Sequence, residues 1–168
     1  RDLGITTIEL AAGETLDVPL VRSVLGAGMG FATPPTITTG VVSLGDYQSL
    51  VGQGVIFDPA VSLSESSLTA ATARSLIDAT STPPALLTLT GIVVSDDVIS
   101  SSDALLFTFT DADTGAAIGL DVSDALITGS VSAPDAVALI QRIGAGDVAG
   151  FAASATLTAG QTLTLAQA

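Results

Sequence analysis

Asp111-Ala112-Asp113-Thr114-Gly115 is the segment whose residue types and spacing come nearest to a ligating site. Two carboxylates two residues apart, ahead of a glycine that permits a tight turn, are how many calcium loops begin, because a hard divalent cation gathers closely set oxygen ligands. The pattern is incomplete. A helix-flanked calcium loop also needs a further acidic or amide residue before its glycine and a glutamate at its twelfth position, where this chain has Val122. The alternative is a polar turn between strands. No cofactor is expected, with calcium at Asp111 and Asp113 the one alternative the residues raise, Asp121 and Asp124 being near enough in sequence to add oxygens.

The other constellations carry less chemistry. Asp96 and Asp97 are adjacent, so in a strand they would point to opposite faces instead of forming a catalytic carboxylate pair. Gly26-Ala27-Gly28-Met29-Gly30 has the glycines of a phosphate loop but no lysine after them, and reads as a flexible loop or hinge. His, Lys, Cys, Asn and Trp are absent from all 168 residues. A serine or threonine nucleophile would therefore lack its usual base, and thiol catalysis, lysine Schiff bases and imidazole or thiolate zinc sites are excluded outright. The chain is expected not to be an enzyme.

Charge removes another class of function. Four arginines face 17 acidic residues, for a net charge of -13. Four scattered cations cannot supply the counterion release that drives nucleic-acid binding, so no nucleic-acid partner is expected. Arg22, Arg74 and Arg142 are expected as local salt-bridge partners. No membrane span is expected either. The long uncharged stretches 23–45 and 148–168 are interrupted by Pro34-Pro35 and by closely spaced Ser, Thr, Gln and Gly.

The elements that would position these residues are read from periodicity. Leu87-Thr88-Leu89-Thr90, Phe107-Thr108-Phe109-Thr110 and Thr162-Leu163-Thr164-Leu165 alternate with a period of two, the pattern of half-buried strands. Further strands are expected near 5–10, 15–21, 36–44, 53–57, 91–95, 116–122 and 151–158. A capping box at Ser62 and Glu65 predicts a helix through Leu68, Leu76 and Ala79. Pro134 and Asp135 open a second helix that runs through Ile140 and stops at Gly144. Leu10-Ala11-Ala12-Gly13-Glu14-Thr15-Leu16 and Leu157-Thr158-Ala159-Gly160-Gln161-Thr162-Leu163 share the form L-x-A-G-x-T-L, read either as similar hairpin turns or as equivalent places in one sheet. Together these features predict a mainly β protein: a single-domain β-sandwich or jelly roll spanning 1–168, with one or two short inserted helices.

With 48% apolar and 12% charged residues, much of the surface must be small and uncharged or covered by another molecule. The expected function is a non-enzymatic structural subunit that assembles with copies of itself into a filament, surface layer or shell through exposed strand edges. Ile5, Ile8 and Leu10 near one end, and Leu157, Leu163 and Leu165 near the other, are the expected assembly residues. The alternatives are a calcium-stabilised adhesin-type binding module and a virion decoration or tail protein. A start at Arg1 without Met fits removal of a signal peptide, so an extracellular or cell-surface location is expected, with a virion as the alternative.

Overall fold

The computed structural model describes residues 6–11, 14–58, 60–80, 89–108 and 119–163. The organising feature is a repeated helix start. Five times, an aliphatic residue exposed by no more than 5% stands just before a Ser, Thr or Asp: Leu16-Asp17, Val42-Ser43, Leu68-Thr69, Ile99-Ser100 and Val131-Ser132. In each, the polar side chain accepts the main-chain N–H three residues on, at 2.8 Å for Leu20 to Asp17, 3.1 Å for Asp46 to Ser43 and for Asp103 to Ser100, and 3.2 Å for Thr72 to Thr69 and for Asp135 to Ser132. That satisfies one of the donors a helix leaves orphaned in its first turn. At Asp103 and Asp135 the carboxylates also accept the Ser100 and Ser132 hydroxyls, both at 2.6 Å.

Burial follows the same register. Four residues past each cap lie Val21, Tyr47, Ala73, Ala104 and Ala136, and seven past it lie Val24, Leu50, Leu76, Phe107 and Leu139, all buried. A residue before the cap and one four beyond it are the positions a hydrophobic staple brings together, and the seventh continues the same helix face. One short pattern thus accounts for five helices.

The described chain forms two compact units, one of residues 1–65 and 77–88, the other of 66–76 and 89–168. The first contains β1 (Thr7–Ile8), α1 (Val18–Gly26), β2 (Gly30–Phe31), β3 (Thr36–Ile37), β4 (Val41–Val42), α2 (Leu44–Gly52), β5 (Ile56–Phe57) and β6 (Ser62–Leu63). Every strand pair in it is parallel. Thr7 pairs with Gly30, Leu16 with Ile37, Thr36 with Ile56 and Val41 with Ser62, steps of 23, 21, 20 and 21 residues. Each step is one coil of chain passing through a helix and returning beside its start, because parallel strands need such a crossover.

The second unit contains β7 (Ser67–Leu68), the first part of α3 (Ala70–Thr80), β8 (Val93–Val94), β9 (Val98–Ser100), α4 (Ser101–Phe107), β10 (Val122–Thr128), β11 (Ser130–Val131), α5 (Ala133–Ala145), β12 (Val148–Phe151) and β13 (Thr156–Leu157). Its pairs are parallel too, with longer steps: Ser67 to Val93 is 26 residues, Val98 to Leu126 is 28, Val122 to Val148 is 26 and Ser130 to Thr156 is 26. A three-stranded sheet runs in the order β12-β10-β9.

Side chains stitch one coil to the next. Glu65 accepts the N–H of Leu44 at 2.8 Å, Asp96 that of Ala70, and Gln161 that of Ala133 at 2.6 Å. Each donor is the first helical residue of the preceding coil, an N–H with no partner inside its own helix. The exits repeat as well. Gly28, Gly54 and Gly146 have φ of 73°, 83° and 83°, and each lies beside paired bonds such as Asp147 N–H to Arg142 O at 2.9 Å and Gly146 N–H to Ile143 O at 3.0 Å. This is the left-handed stop that glycine adopts without strain.

These findings correct the expected fold. Helix makes up 35% and strand 27%, the sheets are small and parallel, and no sandwich is present among the described residues. The stretch 15–21 holds a single bridge at Leu16 and then α1, because Asp17 caps a helix there. Phe107 ends α4 and Thr108 caps its C-terminus, where a strand was expected; the hydroxyl of Thr108 donates to Ala104 O at 2.7 Å. Ser62 lies in β6 and the cap of α3 is Thr69, while Glu65, free of any capping box of its own, serves α2. The last helix runs past Gly144 to Ala145. Gly26 to Gly30 form a helix end and β2 instead of a hinge. In place of a hairpin at Leu157, β13 pairs in parallel with β11. Within the two L-x-A-G-x-T-L segments, Glu14 N–H donates to Ala11 O at 3.3 Å and Gln161 N–H to Thr158 O at 3.0 Å.

Candidate functional site

Each unit carries a largely apolar groove open to solvent. In the first unit, β1 pairs only with β2 among the described residues. Beside it opens a groove of about 420 Å³ lined by Ile8, Leu10, Leu16, Leu20, Val24 and Phe31, with Glu14 and Thr15 at its rim. Leu20 is 48% exposed. It occupies the third helical position, where α2, α4 and α5 carry Asp46, Asp103 and Asp135.

In the second unit, β13 pairs only with β11 among the described residues. A groove of about 160 Å³ lies between α5 and the last strands, lined by Val131, Ala136, Ile140, Phe151, Leu157 and Leu163. Phe151 and Leu157 are 38% and 37% exposed. The second groove is walled mostly by hydrocarbon, while the first also takes Glu14 and Thr15 into its lining, and exposed apolar patches mark interaction surfaces.

Of the residues singled out from sequence, Ile8 and Leu10 fall in the first groove and Leu157 and Leu163 in the second. Ile5, Leu165, Asp111 and Asp113 lie outside the described residues, as does Arg1. Leu20, Val24, Ile140 and Phe151 join them: Ile140 and Phe151 lie in the helix and strand expected from sequence but were not singled out for assembly, while only the helix-start pattern places Leu20 and Val24 on α1.

Two further cavities are polar. One of about 270 Å³ is lined by Phe107, Asp121, Ser123, Arg142 and Asp147 among others. There Ser123 donates both its hydroxyl, at 2.7 Å, and its N–H, at 3.0 Å, to Asp121, and these bonds hold the Asp121 carboxyl below the ordinary aspartate range. Arg142 pairs with Asp147 at 3.4 Å. The other, about 260 Å³, lies beside the Arg22–Asp46 pair, with Ser49 and Gln53. No group of three or more acidic side chains able to hold a metal occurs among the described residues. No helix among the described residues is long and apolar enough to cross a membrane.

Comparison with family models, with curated proteins and with solved structures finds no match for this chain.

Proposed function

We propose that the protein is a non-enzymatic structural subunit that assembles with copies of itself. The observation that carries this reading is a largely apolar groove in each of the two units, beside β1 and β2 in the first and beside α5 and β13 in the second. Exposed apolar patches of this kind mark protein–protein contacts. The product is a filament, a layer or a shell, and an extracellular or cell-surface setting goes with that reading.

Electrostatics limits where copies can meet. A net charge of -13 repels like surfaces, so contact is favoured where charge is sparse, as in the groove beside α5, whose lining holds no charged residue. Light scattering together with negative-stain microscopy of the purified chain tests the reading. Regular polymers that grow with protein concentration support it. A monodisperse monomer across the micromolar to millimolar range would overturn it.

A further inference from the structure

We infer that the groove beside α5 is a two-fold contact between copies, in which Phe151 of each copy enters the groove of the other. This rests on the self-assembly reading above and names the site of contact. Every residue it uses belongs to the second unit.

Phe151 supplies the knob. It ends β12 opposite Ile127, which has no exposed surface, yet Phe151 itself is 38% exposed. Among the described residues it is the one aromatic in the set of large exposed hydrophobics, the rest being leucines and valines. An aromatic ring offers a large apolar area to a partner, and rings seated in pockets are the anchors that dominate protein contacts.

The groove supplies the socket. Its volume of about 160 Å³ is close to the roughly 150 Å³ of an apolar cavity that takes up benzene, so it has room for one phenyl ring. Val131, Ala136, Ile140 and Leu157 give it hydrocarbon walls, and Phe151 stands in the same lining. Because knob and socket share one surface, a two-fold rotation that seats the ring of one copy seats the ring of the other at the same time.

Charge selects a second copy of this groove as the occupant. The lining holds no charged residue, so a basic or acidic partner finds nothing there to pair with. Two copies that each carry a net charge of -13 repel at their charged surfaces, whereas groove against groove brings no lining carboxylate into the contact. The groove of the first unit includes Glu14, whose carboxylate would meet hydrocarbon if that groove were the partner. A two-fold contact closes after two copies, so growth beyond the dimer requires a second contact elsewhere on the surface.

The chain contains no cysteine, so cysteines introduced singly report the symmetry directly. Ala155→Cys, Leu157→Cys and Leu163→Cys, all in the groove lining, are oxidised at a concentration where light scattering shows association. At least one is expected to form a disulfide between the same residue of two copies, as a two-fold axis through the groove permits. Phe151→Ala is expected to weaken association at least tenfold. Val98→Ala, at a valine 47% exposed on β9, should leave association unchanged, and circular dichroism checks the folding of each variant. If the wild type associates but Phe151→Ala associates equally well, or Val98→Ala weakens it as much, or none of the three cysteines cross-links, the two-fold contact is overturned and self-assembly stands. If the wild type is a monomer, both readings fall, and a loss of stability in Leu165→Asp would then identify residues 164–168 of the same chain as the occupant.

Discussion

Arg22, five residues beyond one helix cap, lies 2.9 Å from Asp46, three residues beyond the next. Arg74 and Asp103 repeat that relation in the second unit, where Arg74 also donates to Ser102 Oγ at 3.1 Å. The recurrence relates α1 to α2 in the first unit as it relates α3 to α4 in the second. It also supplies the first prediction. Side-chain exposures of 59% for Arg22 and 29% for Asp46 put the pair near the surface, so a double-mutant cycle with alanine should give a coupling of about 0.2–1 kcal/mol that vanishes in molar salt. A coupling that persists at high salt would mean that the pair is not solvent-screened.

The caps should be exchangeable in kind and costly to delete. Ser43→Ala and Ser132→Ala are each expected to lower stability by about 0.5–2 kcal/mol in denaturant titrations, whereas Ser43→Asp should be tolerated, because Asp17 does the same work in α1.

Core contacts weigh more. Leu139 has no exposed surface and is the seventh residue past its cap, the position filled by Leu50, Leu76 and Phe107 in other helices. Leu139→Ala is expected to cost about 2–5 kcal/mol, the sum of lost transfer energy and the cavity left behind. A smaller loss would show that the coil collapses onto the space.

Coil-to-coil hydrogen bonds are the third term. Removing the Glu65 carboxylate orphans the half-buried Leu44 N–H, so Glu65→Ala should destabilise by about 1–3 kcal/mol while Glu65→Gln retains most of the bond, as Gln161 does toward Ala133. Hydrogen exchange at Leu44 reads this locally.

Two groups give a pH dependence of opposite sense. Asp121 titrates below its unfolded value because Ser123 donates to the charged form, so its stabilisation is present above the ordinary carboxylate range and is lost as pH falls through its lowered midpoint. Ser123→Ala should move the Asp121 midpoint upward in an NMR titration. Tyr47, buried with its ring centroid 5.0 Å from that of Phe57, titrates above its ordinary value because burial disfavours the phenolate. Its contribution is complete below pH 10 and is lost as pH rises through the elevated midpoint, which absorbance of the phenolate follows.

The amino-acid sequence alone excludes some chemistry: without His, Lys or Cys the chain has no imidazole, side-chain amine or thiol to act as base or nucleophile, whatever the fold. It also identified α5, whose Pro134, Asp135 and Arg142 are strong local signals, and four of the groove residues, since short apolar segments are legible one at a time. What it could not decide was the direction of strand pairing. Two-residue strands such as Val41–Val42 carry no periodicity to count, and alternation at Phe107-Thr108 fits a helix end as well as a strand. The repeat stayed hidden because its positions conserve a physical role rather than a residue type: Asp, Ser and Thr all cap, and Val, Tyr and Ala all fill the staple. Spacing hid it further, since successive caps stand 26, 26, 31 and 32 residues apart at Asp17, Ser43, Thr69, Ser100 and Ser132. Only the tertiary structure sets those unequal lengths in register, because a parallel ladder aligns backbone hydrogen bonds regardless of how much chain each crossover contains.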